Sequence, residues 1–219
     1  RAFSWITKKL YGNVTIPIIA SNRINSPKVA DDVISDKCAD LVSMARPFLA
    51  DSEFVKKAFE NKSNEIVPCI ACNQACLDHT FSMKLTSCLV NPSACREKEY
   101  EFRHTQMTKT VAVVGSGPAG LSAAITSQKR GFEVTLFESE AFIGGQLNLA
   151  SKIPGKEEFV GLLEFYSNEI VRLGINVCLK TKAREENLRK FDHIIIATGV
   201  SPRKINFNVK DSNKVVSYI

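Results

Sequence analysis

Apolar residues in this chain come as short unbroken runs, each followed by a polar loop and a stretch with helical spacing. Residues 16–21, IPIIAS, form the first run and suit a strand buried on both faces. Ser26 before Pro27 then marks a capped helix start, and KVADDVISDK carries its apolar positions at helical spacing. Residues 40–45, DLVSMA, predict a second buried strand, closed by Arg46 and Pro47, and DSEFVKKAFENK predicts a capped amphipathic helix starting at Asp51. Strand, loop and helix thus occur twice in succession, which predicts a parallel α/β layout. A closed parallel barrel needs about eight such units. Residues 1–62 therefore read as the last two units of a (β/α)8 barrel whose other units precede Arg1.

Residues 63–108 show no clear period. From Thr110 the pattern sharpens again. TVAVV predicts a buried strand, GSGPAG at 115–120 a tight turn, and LSAAITSQKR a helix stopped by Gly131. EVTLF predicts the next strand, with Glu138 at its end, completing a βαβ unit of about 30 residues. AFIGGQLNLAS reads as a glycine-containing loop, and residues 157–173 as a helix ended by Gly174. INVCLK and HIIIAT predict further strands, and NKVVSYI at 213–219 another that stops short. Residues 109–219 thus predict a Rossmann-like nucleotide-binding domain, incomplete at its end. An opening Arg1 in place of Met fits the expectation that the chain is an internal piece of a longer polypeptide.

Composition narrows the function classes. The chain is 44% hydrophobic and 24% charged, as ordinary globular proteins are. Its net charge of +6 is spread among acidic residues with no basic block, which speaks against nucleic-acid binding. No apolar run reaches the roughly 18 residues of a membrane span. Seven cysteines, an odd number with four clustered, do not make a disulfide framework and fit a reducing, cytoplasmic setting.

Those four, Cys69, Cys72, Cys76 and Cys88, stand at C-x2-C-x3-C followed by eleven residues and a final cysteine. Thiolates at this spacing hold an iron–sulfur cluster or close a tetrahedral zinc site. Zinc more often uses two C-x2-C knuckles, and here the second is missing. Thiols without metal remain a third reading, and Cys95 is a rival for the fourth ligand. Cys38 and Cys178 read as buried packing residues.

The turn at 115–120 lies between a strand and a helix, the context a dinucleotide site requires. Gly115 permits the turn, Gly117 lets backbone approach a pyrophosphate, and Gly120 lets helix and strand pack closely. Pro118 and Ala119 open the helix whose N-terminus faces the phosphates. Glu138 is placed to accept hydrogen bonds from ribose hydroxyls. These features do not separate FAD from NAD. GGQ, with Gly145 and Gln146, and the triplet Ala197, Thr198 and Gly199 favour FAD, although a plain strand-to-turn exit also yields ATG. Arg23 and Arg46 follow the two early strands, where parallel α/β folds bind ligands, and could clamp a flavin phosphate. Solvated surface arginines are the plain alternative. His79, His104 and His193 are scattered, and no nucleophile–base pair is evident.

Together, AFSW, IPIIASNRINSP, ADLVSMARPFLAD, CIACNQACLDHTF, LTSCLVNPSAC, VVGSGPAGLSAA, GGQLNLA, PGKEEF and IIATG closely resemble the bacterial-type NADPH-dependent 2,4-dienoyl-CoA reductases, with trimethylamine dehydrogenase and enoate reductase as broader relatives. The resemblance implies a three-part enzyme: an FMN-binding barrel (1–62 here), a [4Fe-4S] segment (63–108) and a region binding FAD and NADPH (109–219). It implies that Arg23, Ala45 and Arg46 contact the FMN phosphate, and that Cys69, Cys72, Cys76 and Cys88 hold the cluster. It assigns FAD contacts to Gly117, Ala119, Glu138, Gln146 and Lys156. Electrons would pass from NADPH through FAD and the cluster to FMN and reduce an unsaturated acyl-CoA. The family's proton-donating residues would precede Arg1, so no catalytic residue is expected in this chain. A related enone reductase, an amine dehydrogenase, or a non-catalytic electron-transfer module shares the same features.

Overall fold

A computed structural model describes residues 2–201 and 203. In chain order the elements are α1 (Ser4–Leu10), β1 (Ile19–Ser21), α2 (Pro27–Ser35), β2 (Leu41–Ser43), α3 (Arg46–Ala50), α4 (Phe54–Phe59), a 3-10 turn (Ser63–Glu65), α5 (Leu77–Phe81), β3 (Thr110–Val114), α6 (Pro118–Lys129), β4 (Glu133–Phe137), α7 (Leu147–Ala150), α8 (Glu158–Arg172), β5 (Asn176–Cys178), α9 (Glu185–Leu188) and β6 (His193–Ile196). They form two compact units. The first holds the described residues up to Arg103 together with Gly155–Arg172, and the second holds His104–Pro154 and the described residues from Leu173 on. The strand expected at 213–219 lies outside the described residues.

In the first unit β1 and β2 pair in parallel, with Ile19 opposite Leu41 and Ser21 opposite Ser43. Ala20, Ile24, Val33, Cys38 and Ala39 make its small core, which bears out the packing role of Cys38. Both strands are shorter than their apolar runs. α2 covers Ala20 through Val33, whereas Ile19 and Leu41 are more than half exposed, with no described layer over them. The start of α2 follows the sequence: the Ser26 hydroxyl accepts from the Val29 amide at 3.2 Å, and Pro27 stands at the first helical position.

Two local readings are corrected. Arg46 and Pro47 do not merely close β2; they open α3. Asp51 is not the N-cap of the following helix, which begins at Phe54 with Glu53 before it. Asp51 instead ends α3 and sits buried, its carboxylate accepting from the Glu53 amide, the Val67 amide and the Lys57 ammonium at 3.0, 2.9 and 2.6 Å. Periodicity alone cannot tell a cap from a carboxylate that reaches across to a later segment.

In the second unit four parallel strands run in the order β5-β4-β3-β6. Val111, Ala112, Val113, Val134 and Leu136 are buried, so β3 and β4 form its centre as their unbroken apolar runs require. Gly131, at a φ of +90°, terminates α6 in the left-handed conformation that favours glycine. At the end of β5, Cys178 is only half-buried, a correction to its reading as a core residue. Asp192 ties β6 to β3 by accepting from the amide and hydroxyl of Thr110 at 2.8 and 2.9 Å.

Candidate cofactor sites

The carboxyl ends of β1 and β2 open onto a cavity of about 250 Å³. Its wall includes Arg23, Asn25, Ala45, Arg46, Cys69 and Ala71, so Arg23, Ala45 and Arg46 do come together where the sequence puts them. Asn22 and Arg23 both adopt left-handed backbone conformations, φ +80° and +51°, as the chain turns out of β1. Each arginine has a partner that sequence reasoning missed. Arg23 pairs with the Glu158 carboxylate, whose hydrogen bond and charge hold the guanidinium above its ordinary pKa. The Arg46 Nη1 donates to the side-chain oxygen of Asn73.

A second cavity lies beside the first and shares two of its walls. It is lined by Cys69, Cys72, Cys76 and Cys88 together with Arg46 and Asn73. All four thiols are half-buried, whereas Cys95 is exposed and is not part of this wall. Burial pushes Cys69 and Cys88 above the usual thiol pKa. Amide N–H groups oppose that rise, from Ala71 at Cys69 and from Val90 and Asn91 at Cys88, and so does the Arg46 charge at Cys69. The loop holds its shape through local bonds: His79 Nδ1 meets the Leu85 carbonyl at 3.0 Å, and the Ser87 amide donates to the Ala75 carbonyl at 2.8 Å, returning the chain towards Cys88. Among the described residues no three His, Cys, Asp or Glu side chains converge as a single ion requires. A lone tetrahedral ion draws its sulfurs to about 2.3 Å from one point, while a sulfide-bridged cluster takes four thiolates spaced around a larger body. The four-thiolate donor set is of the kind such a cluster takes.

In the second unit the 115–120 turn sits at the carboxyl ends of β3 and β4. A Cβ on Gly120 would lie 1.8 Å from the Gly115 carbonyl oxygen, and one on Gly115 would lie 2.4 Å from that of Ala197. Both glycines are therefore required by packing. Gly117 differs: a Cβ there would meet nothing within 4 Å. The space before it is open, beside Gly145, and Gly117 caps α6 without a side-chain bond, with Pro118 and Ala119 following. This arrangement fits a pyrophosphate on a helix N-terminus. The Gln146 amide donates to the Val200 carbonyl at 3.4 Å, which brings the segment of Gly145 and Gln146 to the one that holds Ala197, Thr198 and Gly199. Lys156 is exposed and belongs to the first unit.

Glu138 is buried at 8% exposure. Its Oε2 accepts from the Ser116 hydroxyl at 2.5 Å and the Ser116 amide at 2.9 Å, and its Oε1 from the Ser139 hydroxyl at 3.1 Å and the Glu140 amide at 2.9 Å. Burial alone would raise its pKa, but these bonds outweigh it and hold the carboxylate below its usual range. A carboxylate offers about four acceptor positions, and these four donors occupy them. Ser116, the residue between the first two glycines, was the missed partner.

Two families match separate stretches of the chain. Residues 109–219 match the pyridine nucleotide-disulphide oxidoreductase family, and residues 2–65 match the NADH:flavin oxidoreductase / NADH oxidase family. The chain is 38% identical over 221 residues to a metal reductase of Desulforamulus reducens, covering 98% of this chain and 33% of that protein. It is 34% identical to a cinnamate reductase of Clostridium sporogenes, covering 98% and 32%. Among solved structures it resembles a complex of 2-naphthoyl-CoA reductase with 2-naphthoyl-CoA, with a TM-score of 0.89 and 31% identity over 93% of this chain and 32% of that one. The chain spans about a third of the length of the curated relatives it matches.

Proposed function

From a chain that belongs to the pyridine nucleotide-disulphide oxidoreductase family, we propose a part in reducing a carbon–carbon double bond conjugated to a carbonyl, with FMN, FAD and a [4Fe-4S] cluster as cofactors and NADPH as reductant. A 2,4-dienoyl-CoA thioester is the substrate that the sequence resemblance favours. The similarity to proteins named cinnamate reductase and 2-naphthoyl-CoA reductase supports the broader class. When bound, the flavins would supply two-electron and one-electron chemistry, and the cluster one-electron chemistry.

One observation carries the reading: the cavity at the ends of β1 and β2 and the four-cysteine cavity share Arg46 and Cys69. Arg23 and Arg46 would neutralise the FMN phosphate at the barrel end, residues 1–62. Cys69, Cys72, Cys76 and Cys88, within 63–108, would hold the cluster, with N–H groups from Ala71, Val90 and Asn91 donating to the bound sulfurs. Within 109–219, Gly117 and the start of α6 would take the FAD pyrophosphate, and Glu138 and Ser116 would order the turn beneath it. A reducing cytoplasm would keep the thiolates available.

Metal and flavin analysis tests this directly. Protein purified without oxygen should contain about four iron per chain with matching sulfide, and should release FMN and FAD on denaturation. Stoichiometric zinc without iron, or the absence of FMN, would overturn it.

A further inference from the structure

We infer that Asn73 is a positioning residue that aims Arg46 into the neighbouring cavity and so sets that cavity's affinity for a phosphate monoester. The inference rests on the reading of that cavity as the FMN phosphate site. Asn73 lies between Cys72 and Cys76, yet an amide is no ligand for iron in such a cluster. Its side chain instead accepts from the Arg46 Nη1. Arg46 reaches this point because α3 begins at that residue, directly after β2, and its side chain lines both cavities.

The partner's charge matters. Glu158 meets Arg23 charge for charge, and an anion entering the cavity must compete with that carboxylate. Asn73 takes one of five guanidinium N–H donors without neutralising the cation. It therefore orients Arg46 while leaving its charge and remaining donors for a ligand. A flexible arginine held in one arrangement loses less freedom on binding, which raises affinity without a new contact. A second hydrogen bond ties the cysteine segment to the loop after β1: the Asn25 amide, in the wall of the first cavity, donates to the Cys69 carbonyl at 3.4 Å.

The backbone explains why asparagine suits this position. Asn73 has a φ of +62°, and asparagine tolerates the left-handed region better than most residues. An alanine there would mix backbone strain with loss of the amide. Asn73→Gly removes the amide and keeps the backbone at ease.

The test uses the holoprotein stripped of flavin and titrated separately with FMN and riboflavin, followed by flavin fluorescence, with iron measured in every variant. Riboflavin lacks the phosphate and serves as the internal control. Asn73→Gly should weaken FMN about tenfold, as expected for loss of a hydrogen bond to a charged group, and leave riboflavin affinity and iron content unchanged. Asn73→Asp keeps an acceptor but adds a charge, and should also weaken FMN selectively. Equal loss of both flavins, or unchanged FMN binding in Asn73→Gly, would overturn the role of Asn73. Arg46→Ala separates the two levels. If it leaves the FMN-to-riboflavin ratio unchanged, the reading of the cavity fails; if it lowers that ratio while Asn73→Gly does not, the positioning role alone fails.

Discussion

At the scale of single residues, the glycines of the nucleotide turn divide into two kinds that look alike in sequence. Gly120 exists for packing, since a methyl group there would stand 1.8 Å from the Gly115 carbonyl oxygen. Gly117 exists for what enters from outside, since the space before it is open. Gly120→Ala should therefore destabilise the second unit by at least about 2 kcal/mol. Gly117→Ala should cost less than about 1 kcal/mol, the price of a poorer N-cap, yet lose FAD. Thermal unfolding and flavin release, measured on both variants, check this; a stable Gly120→Ala that keeps FAD would refute the division. The motif already assigned Gly117 to the approach of a pyrophosphate and Gly120 to packing; the fold adds that a Cβ on Gly115 would meet the Ala197 carbonyl, far along the sequence.

At the scale of elements, helices were legible where a cap and a period agreed and obscure where a side chain served a distant segment. α2 follows from Ser26, Pro27 and helical spacing, and α6 from the glycine turn before it and Gly131 after it. Asp51 was read as a cap because it precedes an amphipathic stretch. In the fold it joins the end of α3 to Lys57 of α4 and to the Val67 amide, at the entrance of the cysteine segment. Asp51→Ala would leave the largely buried Lys57 ammonium without its carboxylate and the Val67 amide without an acceptor. It should destabilise the first unit by about 3 kcal/mol and speed hydrogen exchange at Val67. Exchange at Val67 as slow in the variant as in the parent would refute that role. The short helices α3, α7 and α9 had no sequence signature, because four or five residues span too little of a 3.6-residue period to show a face.

At the scale of the whole molecule, two carboxylates stitch the second unit: Glu138 joins the end of β4 to the turn after β3, and Asp192 joins β6 to β3. Both are held below their usual pKa, Glu138 by hydrogen bonds that overcome its burial and Asp192 by the Thr110 amide and hydroxyl. Their stabilisation is fully present above the unfolded carboxylate pKa of about 4 and is lost as pH falls through the lower folded values. Thermal stability of the second unit should therefore drop below about pH 4, and Glu138→Gln should flatten part of that slope. An identical slope in the variant, followed by circular dichroism, would count against it. The sequence by itself determined the parallel α/β class, the strand–turn–helix at 110–129 and the cysteine spacing, because each is encoded by neighbours within about 30 residues. Only the tertiary structure decided that Asn73 serves Arg46, that Glu158 serves Arg23 and that Ser116 fills Glu138. Spacing along the chain determines which residues share a local element. Polar partners are chosen by which side chains the folded backbone leaves within hydrogen-bonding distance, and for Arg23 that partner lies 135 residues away.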